Sequence, residues 1–132
     1  MLDLQFICEN RDAVIDNCRK RGVTANVDAV IRLRDERNAL IGKGDELRRQ
    51  QKEVSAQIPK ASAADRPKLV EQGKSLREQV NQTEEQQKTI EEQLRLEQIL
   101  VPNMTHPEAP IGGEEDAREI TVWGTKPKFD FK

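Results

Sequence analysis

The chain has 132 residues, 35% of them charged and 35% hydrophobic, with a formal net charge of −2 and no Tyr. That length fits one small domain, and the low apolar content excludes a large spherical core because too little surface can be buried to offset chain entropy. The apolar runs are too short to span a membrane, two cysteines do not make a disulfide scaffold, and the near-neutral charge argues against a globally basic nucleic-acid binder.

The amino-terminal segment offers apolar surface but no targeting signal. Its apolar side chains are expected to pack against the base of a longer helical element: Leu2, Leu4, Phe6 and Ile7. The start lacks a basic region followed by an apolar one, so no signal peptide is expected. Because the cysteine content is low, a reducing cytoplasm is the expected compartment.

A short helix is predicted next. Asn10 is expected to cap it, because Asn side chains accept hydrogen bonds from the first free amides of a helix. Its inner face is predicted to hold Ala13, Val14 and Cys18, and its end is expected near Gly22.

Residues 27–101 are predicted to form two long helices joined by a turn. Ala, Glu, Lys, Leu and Arg supply 38 of these 75 residues, which is typical of a coiled coil or a long helix. Asn26 is expected to cap the first helix, and Pro59 and Pro67 lie at a short polar turn, predicted at about 59–66.

Both helices carry heptad spacing, with steps of three and four residues between seam positions. Folding at the turn brings Val30 opposite Leu94 and Leu47 opposite Leu76. The seam is interrupted where Arg37 is expected to face Gln87 and Gly44 is expected to face Val80. The predicted fold is therefore all-α: a long antiparallel two-helix coiled-coil hairpin, with a short helix at its base.

Beyond Val101 the composition changes. A loop is predicted from a run of turn-forming residues, namely Pro102, Pro107, Pro110, Gly112 and Gly113. Residues 119–123 alternate in the manner of a short strand. We therefore divide the chain into a helical domain at 1–101 and a linker at 102–132, and because the pattern stops mid-strand we expect the chain to continue into a further domain.

No catalytic or metal-binding constellation is predicted. His106 stands alone in the Pro-rich loop, Cys8 and Cys18 lack the short ligand spacing of zinc sites, and no nucleophile motif is present. The Gly-Lys-Gly at 42–44 lies within the heptad series, so it indicates a local weakening of a helix and not a phosphate loop.

Charge is distributed unevenly along the predicted hairpin. Residues 43–77, around the turn, have nine basic and five acidic side chains, a local net charge of +4 that leaves −6 for the rest. The basic residues are the candidate RNA-binding residues: Lys43, Arg48, Arg49, Lys52, Lys60, Arg66, Lys68, Lys74 and Arg77. With no aromatic residue on the arm to stack on bases, double-stranded RNA read through its backbone is favoured. A merely solvated coiled-coil surface is the alternative.

Several ordered segments resemble the amino-terminal region of bacterial-type seryl-tRNA synthetases. They are the opening from Met1 to Asn10, the short helix ending Lys20-Arg21-Gly22, the segment from Val30 to Asn38, and an exit that starts Ile99-Leu100-Val101-Pro102-Asn103-Met104, passes through Trp123-Gly124 and ends Lys128-Phe129-Asp130-Phe131. The resemblance covers the whole chain in order.

The resemblance implies a tRNA-binding arm that recognises the long variable arm of serine tRNA. In that family the catalytic domain charges the tRNA with serine, using ATP and Mg²⁺, and forms the homodimer. No residue here matches its ATP-binding or serine-binding motifs, so this chain is expected to be inactive alone and monomeric, with no cofactor of its own. The alternative is a structural or chaperone-like coiled-coil hairpin that binds protein partners.

Overall fold

The computed structural model describes residues 1–130, which contain helices and no strand. The four α-helices are α1 (Leu4–Glu9), α2 (Arg11–Lys20), α3 (Val27–Gln57) and α4 (Arg66–Leu100), and two 3₁₀ turns lie at Ile58–Lys60 and Glu114–Asp116. The all-α prediction is therefore confirmed. None of the helices in the described part of the chain combines the length and apolar character that a membrane span requires.

Helix α1 forms where only an apolar surface was predicted. The Asp3 carboxylate caps it by accepting hydrogen bonds from the amides of Gln5, at 2.9 Å, and Phe6, at 3.1 Å. Ile7 is fully buried against the hairpin. The N-terminal cap and this burial together stabilise a helix that is too short to persist by itself.

Helix α2 begins one residue after Asn10, as predicted, but the predicted capping bond is absent. The Asn10 side-chain amide instead donates to the carbonyl oxygen of Phe6 at 3.0 Å, and therefore closes the end of α1. Gly22 ends the segment in the left-handed region, with φ of +63°. A residue with a β-carbon would be strained in that conformation, which is why the end of the helix was predictable.

The inner face of α2 differs from the prediction at one position. Val14 and Cys18 are buried as expected, but Ala13 is exposed and Asn17 is buried in its place. These buried positions follow the three- and four-residue spacing of a single helix face.

Helices α3 and α4 form the predicted helical hairpin. The Asn26 side chain caps α3 by accepting from the amide of Ala29 at 3.0 Å. Contacts pair the two helices in opposite order along the chain: Arg37 with Glu91, Arg48 with Glu84, and Val54 with Gly73. Pro59 lies in the 3₁₀ turn and Pro67 in the first turn of α4, positions where proline removes no helical hydrogen bond.

The buried core consists of two separate clusters. The basal cluster comprises Ile7, Val14, Cys18, Val27, Val30, Leu33, Leu94 and Val101, and the distal cluster comprises Leu47, Val54, Leu76 and Val80. Between the clusters, α3 remains helical through Gly42 and Gly44. Thr83 is also buried, and its hydroxyl donates a hydrogen bond to the carbonyl oxygen of Gln79 at 2.8 Å.

Of two predicted pairings across the seam, one is wrong and the other is mediated by a third side chain. A β-carbon on Gly44 would contact the Thr83 methyl at 3.9 Å, so Gly44 faces Thr83 and not Val80. Arg37 does not pair with Gln87, because both side chains donate to the carboxylate of Glu91, at 2.9 Å and 3.0 Å. An anionic acceptor attracts these donors more strongly than a neutral amide does.

The segment that follows α4 is held in place by hydrogen bonds to α2. The buried Asn17 amide donates to the carbonyl of Asn103 at 3.3 Å and accepts from the amide of Thr105 at 2.9 Å, and Arg21 also donates to Asn103, at 2.9 Å. The strand predicted at 119–123 is not found, because the described residues offer no neighbouring strand with which it could pair. Phe131 and Lys132 lie outside the described residues.

Two leucines of α4 test the basal core with the same substitution. Leu94 is 6% exposed and Leu96 is 56% exposed. We expect Leu94→Ala to lower the free energy of unfolding by about 2–5 kcal/mol because it leaves a cavity. We expect Leu96→Ala to change it by less than about 0.5 kcal/mol. Urea unfolding followed by circular dichroism measures both, and equal losses would contradict this assignment of the core.

Candidate nucleic-acid interface

The nine basic residues singled out in the sequence are all exposed and lie on the outer half of the hairpin. Helix α3 supplies Lys43, Arg48, Arg49 and Lys52, the 3₁₀ turn supplies Lys60, and α4 supplies Arg66, Lys68, Lys74 and Arg77. Because the two helices fold back on each other, residues up to 34 positions apart in sequence come to lie on one rod. The nine cations nevertheless differ in their surroundings.

Arg48 is engaged by two carboxylates. Its guanidinium donates to Asp45, one turn earlier on α3, at 3.0 Å, and to Glu84 of α4 at 2.8 Å. The hydrogen bond to Glu84 is the main reason why the pKa of Arg48 is raised. This pair links the two helices, so Arg48 has a structural role in addition to its charge.

Arg49 is similarly engaged, but within its own helix. Its guanidinium donates to both carboxylate oxygens of Glu46, at 3.0 Å and 2.8 Å, and to Glu53 at 3.4 Å. The bonds from Arg49 and then Gln50 lower the pKa of Glu46. Such exposed pairs contribute little to stability, but they partly neutralise the Arg49 charge.

Most of the other cations are free of such partners. Lys74 approaches Glu71 only to 4.0 Å, and Arg66 donates weakly to the carbonyl of Ala61 at 3.5 Å. Within residues 1–130, six of the nine make no ion pair: Lys43, Lys52, Lys60, Arg66, Lys68 and Arg77. The sequence ranked the nine equally, and the structure separates them by their acidic neighbours.

The base of the hairpin contains a bidentate ion pair that sequence reasoning missed. Arg11 of α2 donates to the two oxygens of Asp28 on α3, at 2.6 Å and 2.9 Å, and also contacts Asp12. The Arg11 hydrogen bond lowers the pKa of Asp28. Parallel bonds of this kind fix the relative direction of two helices. The partners lie 17 residues apart, so only the position of Asp28 in the first turn of α3 could have suggested the pair.

The metal-ligating and nucleophilic side chains are dispersed. Cys18 is buried and Cys8 half-buried, both as free thiols, and burial raises the pKa of Cys18. In residues 1–130, no three His, Cys, Asp or Glu side chains are grouped so that they could hold a metal ion.

A helical hairpin with exposed cations on its outer half is a long helical arm domain. Residues 1–105 match the family model of the seryl-tRNA synthetase N-terminal domain, and the chain belongs to that family. This confirms the resemblance found in the sequence.

Relatives align over the whole chain. The serine–tRNA ligases of Rubrobacter xylanophilus, Rhodopirellula baltica and Treponema denticola are 42%, 44% and 40% identical to it over 134 aligned positions. In each comparison the alignment covers 100% of this chain and 32% of the relative. The chain thus spans about a third of the length of the curated relatives it matches.

The Arg37–Glu91 pair predicts a response to acid. Hydrogen bonds from Gln87 and then Arg37 lower the pKa of Glu91 below its ordinary value of 4.5. A lowered folded-state pKa contributes stability above the unfolded value, and this contribution is lost as the pH falls through the folded value. We therefore expect Glu91→Gln to be less stable at neutral pH and to lose less stability between about pH 5 and pH 3.

The measurement is the free energy of unfolding in urea as a function of pH. The control is Glu92→Gln, which changes an exposed neighbour that makes no ion pair within residues 1–130. The assignment is wrong if Glu91→Gln retains the full acid-dependent loss or if the Glu92 variant shows the same flattening.

Proposed function

We propose that this chain is the tRNA-binding arm domain of a serine–tRNA ligase, and that its hairpin recognises the long variable arm of serine tRNA. Membership of the seryl-tRNA synthetase N-terminal domain family supports the proposal. The observation that carries it furthest is the concentration of nine exposed cations on the outer half of the hairpin, while the rest of the chain is acidic.

The contacts are charge-assisted hydrogen bonds to phosphates and sugar hydroxyls. Residues 27–101 contain no aromatic side chain, so the arm has nothing on which unpaired bases could stack. A double-stranded stem read through its backbone and shape suits such a surface better. Because backbone contacts position the RNA without reading its sequence, discrimination depends on whether a tRNA has a protruding variable stem.

The hairpin acts as a long, rigid spacer. We infer an antiparallel coiled coil from the seven-residue spacing of buried positions such as Leu47 and Val54 and of Leu76 and Thr83. Helices of 31 and 35 residues are about 47 Å and about 53 Å long at the rise of an α-helix. An arm of that length places its cations far from the base, where a tRNA stem extending from the body of an enzyme would meet them.

The chemistry belongs to the remainder of the parent enzyme. We propose residues 1–101 as the arm domain and residues 102–132 as the linker leading into a class II catalytic domain. That domain would use ATP and Mg²⁺ to attach serine to its tRNA and would form the homodimer, in the cytoplasm. We propose that the isolated chain is a catalytically inactive monomer, since catalysis and dimerisation belong to that domain.

A second candidate is a hairpin that binds a protein partner. The observation in its favour is a mostly apolar groove of about 500 Å³ on the arm, formed in part by Ala39, Leu40 and Ile90. Tight binding of a protein with no preference among RNAs would favour this candidate.

Titration of the chain against two tRNAs tests the leading proposal. A tRNA with a long variable arm is expected to bind more tightly than one with a short variable arm at both low and moderate salt. The log of its binding constant should fall linearly with the log of the salt concentration, because phosphate contacts release counterions. Equal affinity for the two tRNAs would contradict recognition of the variable arm.

Neutralising part of the cationic half provides a second test. The triple variant Arg48→Gln, Arg49→Gln and Lys52→Gln should bind the long-arm tRNA more weakly. Its salt slope should also be shallower, by about 0.7–0.9 for each phosphate that the variant no longer neutralises. Fluorescence anisotropy at several salt concentrations measures both quantities.

The matched control removes three cations from the base, in the variant Arg19→Gln, Lys20→Gln and Arg32→Gln. It has the same change in net charge, so it should leave the affinity and the salt slope nearly unchanged if the outer half is the binding surface. If the outer triple variant binds as tightly as the original chain, with the same slope, the nine cations form only a solvated surface.

A further inference from the structure

The ion pair between Arg48 and Glu84 marks one face of the hairpin. Helical residues three or four positions apart, and those seven apart, share a face. Lys52 therefore lies on the same face of α3 as Arg48, one turn nearer the tip. On α4 the same rule places Arg77 and Lys74 on the face of Glu84, two and three turns nearer the tip. We call Lys52, Lys74 and Arg77 the cationic face.

The register of the hairpin brings members of this face together. Arg48 meets Glu84 at 2.8 Å, and a β-carbon on Gly73 would meet Val54 at 3.9 Å. Lys52 and Arg77 lie between these two contacts, on opposite helices. Lys52 and Arg77 therefore lie at similar levels on opposite helices, and neither has an acidic partner of the kind that Arg48 has in Glu84 among the described residues.

This juxtaposition is unfavourable for the hairpin alone. Like charges on neighbouring helical positions repel each other. Among the described residues, no carboxylate pairs with Lys52 or Arg77, and Lys74 reaches Glu71 only at 4.0 Å. Folding does not account for these three charges, whereas an anion bound between the two helices would be stabilised by all of them.

The opposite face of the hairpin is close to neutral. Lys43 and Gln86 line the apolar groove together, which identifies that face on α3 and on α4. From Gln72 to Thr89, this face of α4 carries only uncharged polar side chains: Gln72, Ser75, Gln79, Gln82, Gln86 and Thr89. We call this the amide face.

The charged residues of the amide face nearly cancel. Its three acids on α3 are each paired with an arginine, Glu46 and Glu53 with Arg49 and Glu36 with Arg32. Its two lysines, Lys43 and Lys68, lie far apart, one near the middle of the arm and one at the start of α4. The acids of the cationic face are Asp45 and Glu84, which are bonded to Arg48, and Glu71, which reaches Lys74 only at 4.0 Å, so the unpaired charge of that face is positive.

We propose that the RNA backbone binds the cationic face, bridging Lys52 on α3 and Lys74 and Arg77 on α4, and that the amide face points away from the RNA. This inference rests on the proposed function and deepens it, because it assigns the RNA to one side of the arm. Arg48 contributes less than the free cations, since its two acidic partners must release it before it can bind a phosphate. The arm therefore has a defined orientation about its own axis on the RNA stem.

Two double variants with the same charge change test the assignment. Lys52→Gln with Arg77→Gln removes charge from the cationic face, and Lys43→Gln with Lys68→Gln removes it from the amide face. All four residues are exposed and make no ion pair in residues 1–130, so both variants should fold, which circular dichroism checks. The probe is a tRNA with a long variable arm, titrated against the full 132-residue chain at several salt concentrations.

The cationic-face variant is expected to bind about 10- to 30-fold more weakly near physiological salt, with the salt slope reduced by about 2. The amide-face variant should bind within about twofold of the original chain. Equal weakening by both variants would overturn the assignment and leave RNA binding by the arm as proposed. Greater weakening by the amide-face variant would place the RNA on the opposite side. If the original chain shows no preference for the long-arm tRNA, both the inference and the proposed function fail.

Discussion

The structure depends on burial of a single narrow seam between α3 and α4. In a two-helix hairpin each helix can bury only one stripe of side chains against the other. Most side chains of this hairpin therefore remain exposed to solvent, whether they are polar or apolar. This explains why a chain that is only 35% hydrophobic folds without a large core. It also explains why the exposed faces are free to carry charge, since changing a surface residue has little effect on packing.

The seam is not uniform, and its weakest part lies between the two core clusters. There Gly44 faces Thr83, so neither helix contributes a large apolar side chain. The Arg37–Glu91 pair lies on the basal side of this region and the Arg48–Glu84 pair on its distal side. Polar contacts that cross the helix interface thus hold the register where hydrophobic contacts are sparse, and specific pairing can fix a register even when it adds little stability.

The features that the sequence predicted are those encoded by local patterns. The hairpin, its tip and the Asn26 cap follow from heptad spacing, proline and a side chain that bonds a nearby amide. Helix α1 was missed because six residues carry no periodic signal and depend on Asp3 and on the burial of Ile7. A polar residue such as Asn17 is expected on the surface, and its burial could not be predicted because its hydrogen-bond partners lie 86 and 88 positions away in the sequence. The nine cations could not be ranked from the sequence, because which of them are free to bind RNA depends on the acidic partner of each, such as Glu84 for Arg48.

The same seam that folds the hairpin decides which cations can bind a ligand. A basic residue with an acid one turn away on its own helix forms a local pair, as Arg49 does with Glu46. A basic residue without such a neighbour depends on what the register places opposite it. The register gives Arg48 an acid, Glu84, and gives Lys52 no acid among the described residues. Moving α4 by one turn would change what lies opposite both residues without altering a single surface residue, so the binding surface is a consequence of core packing as much as of composition.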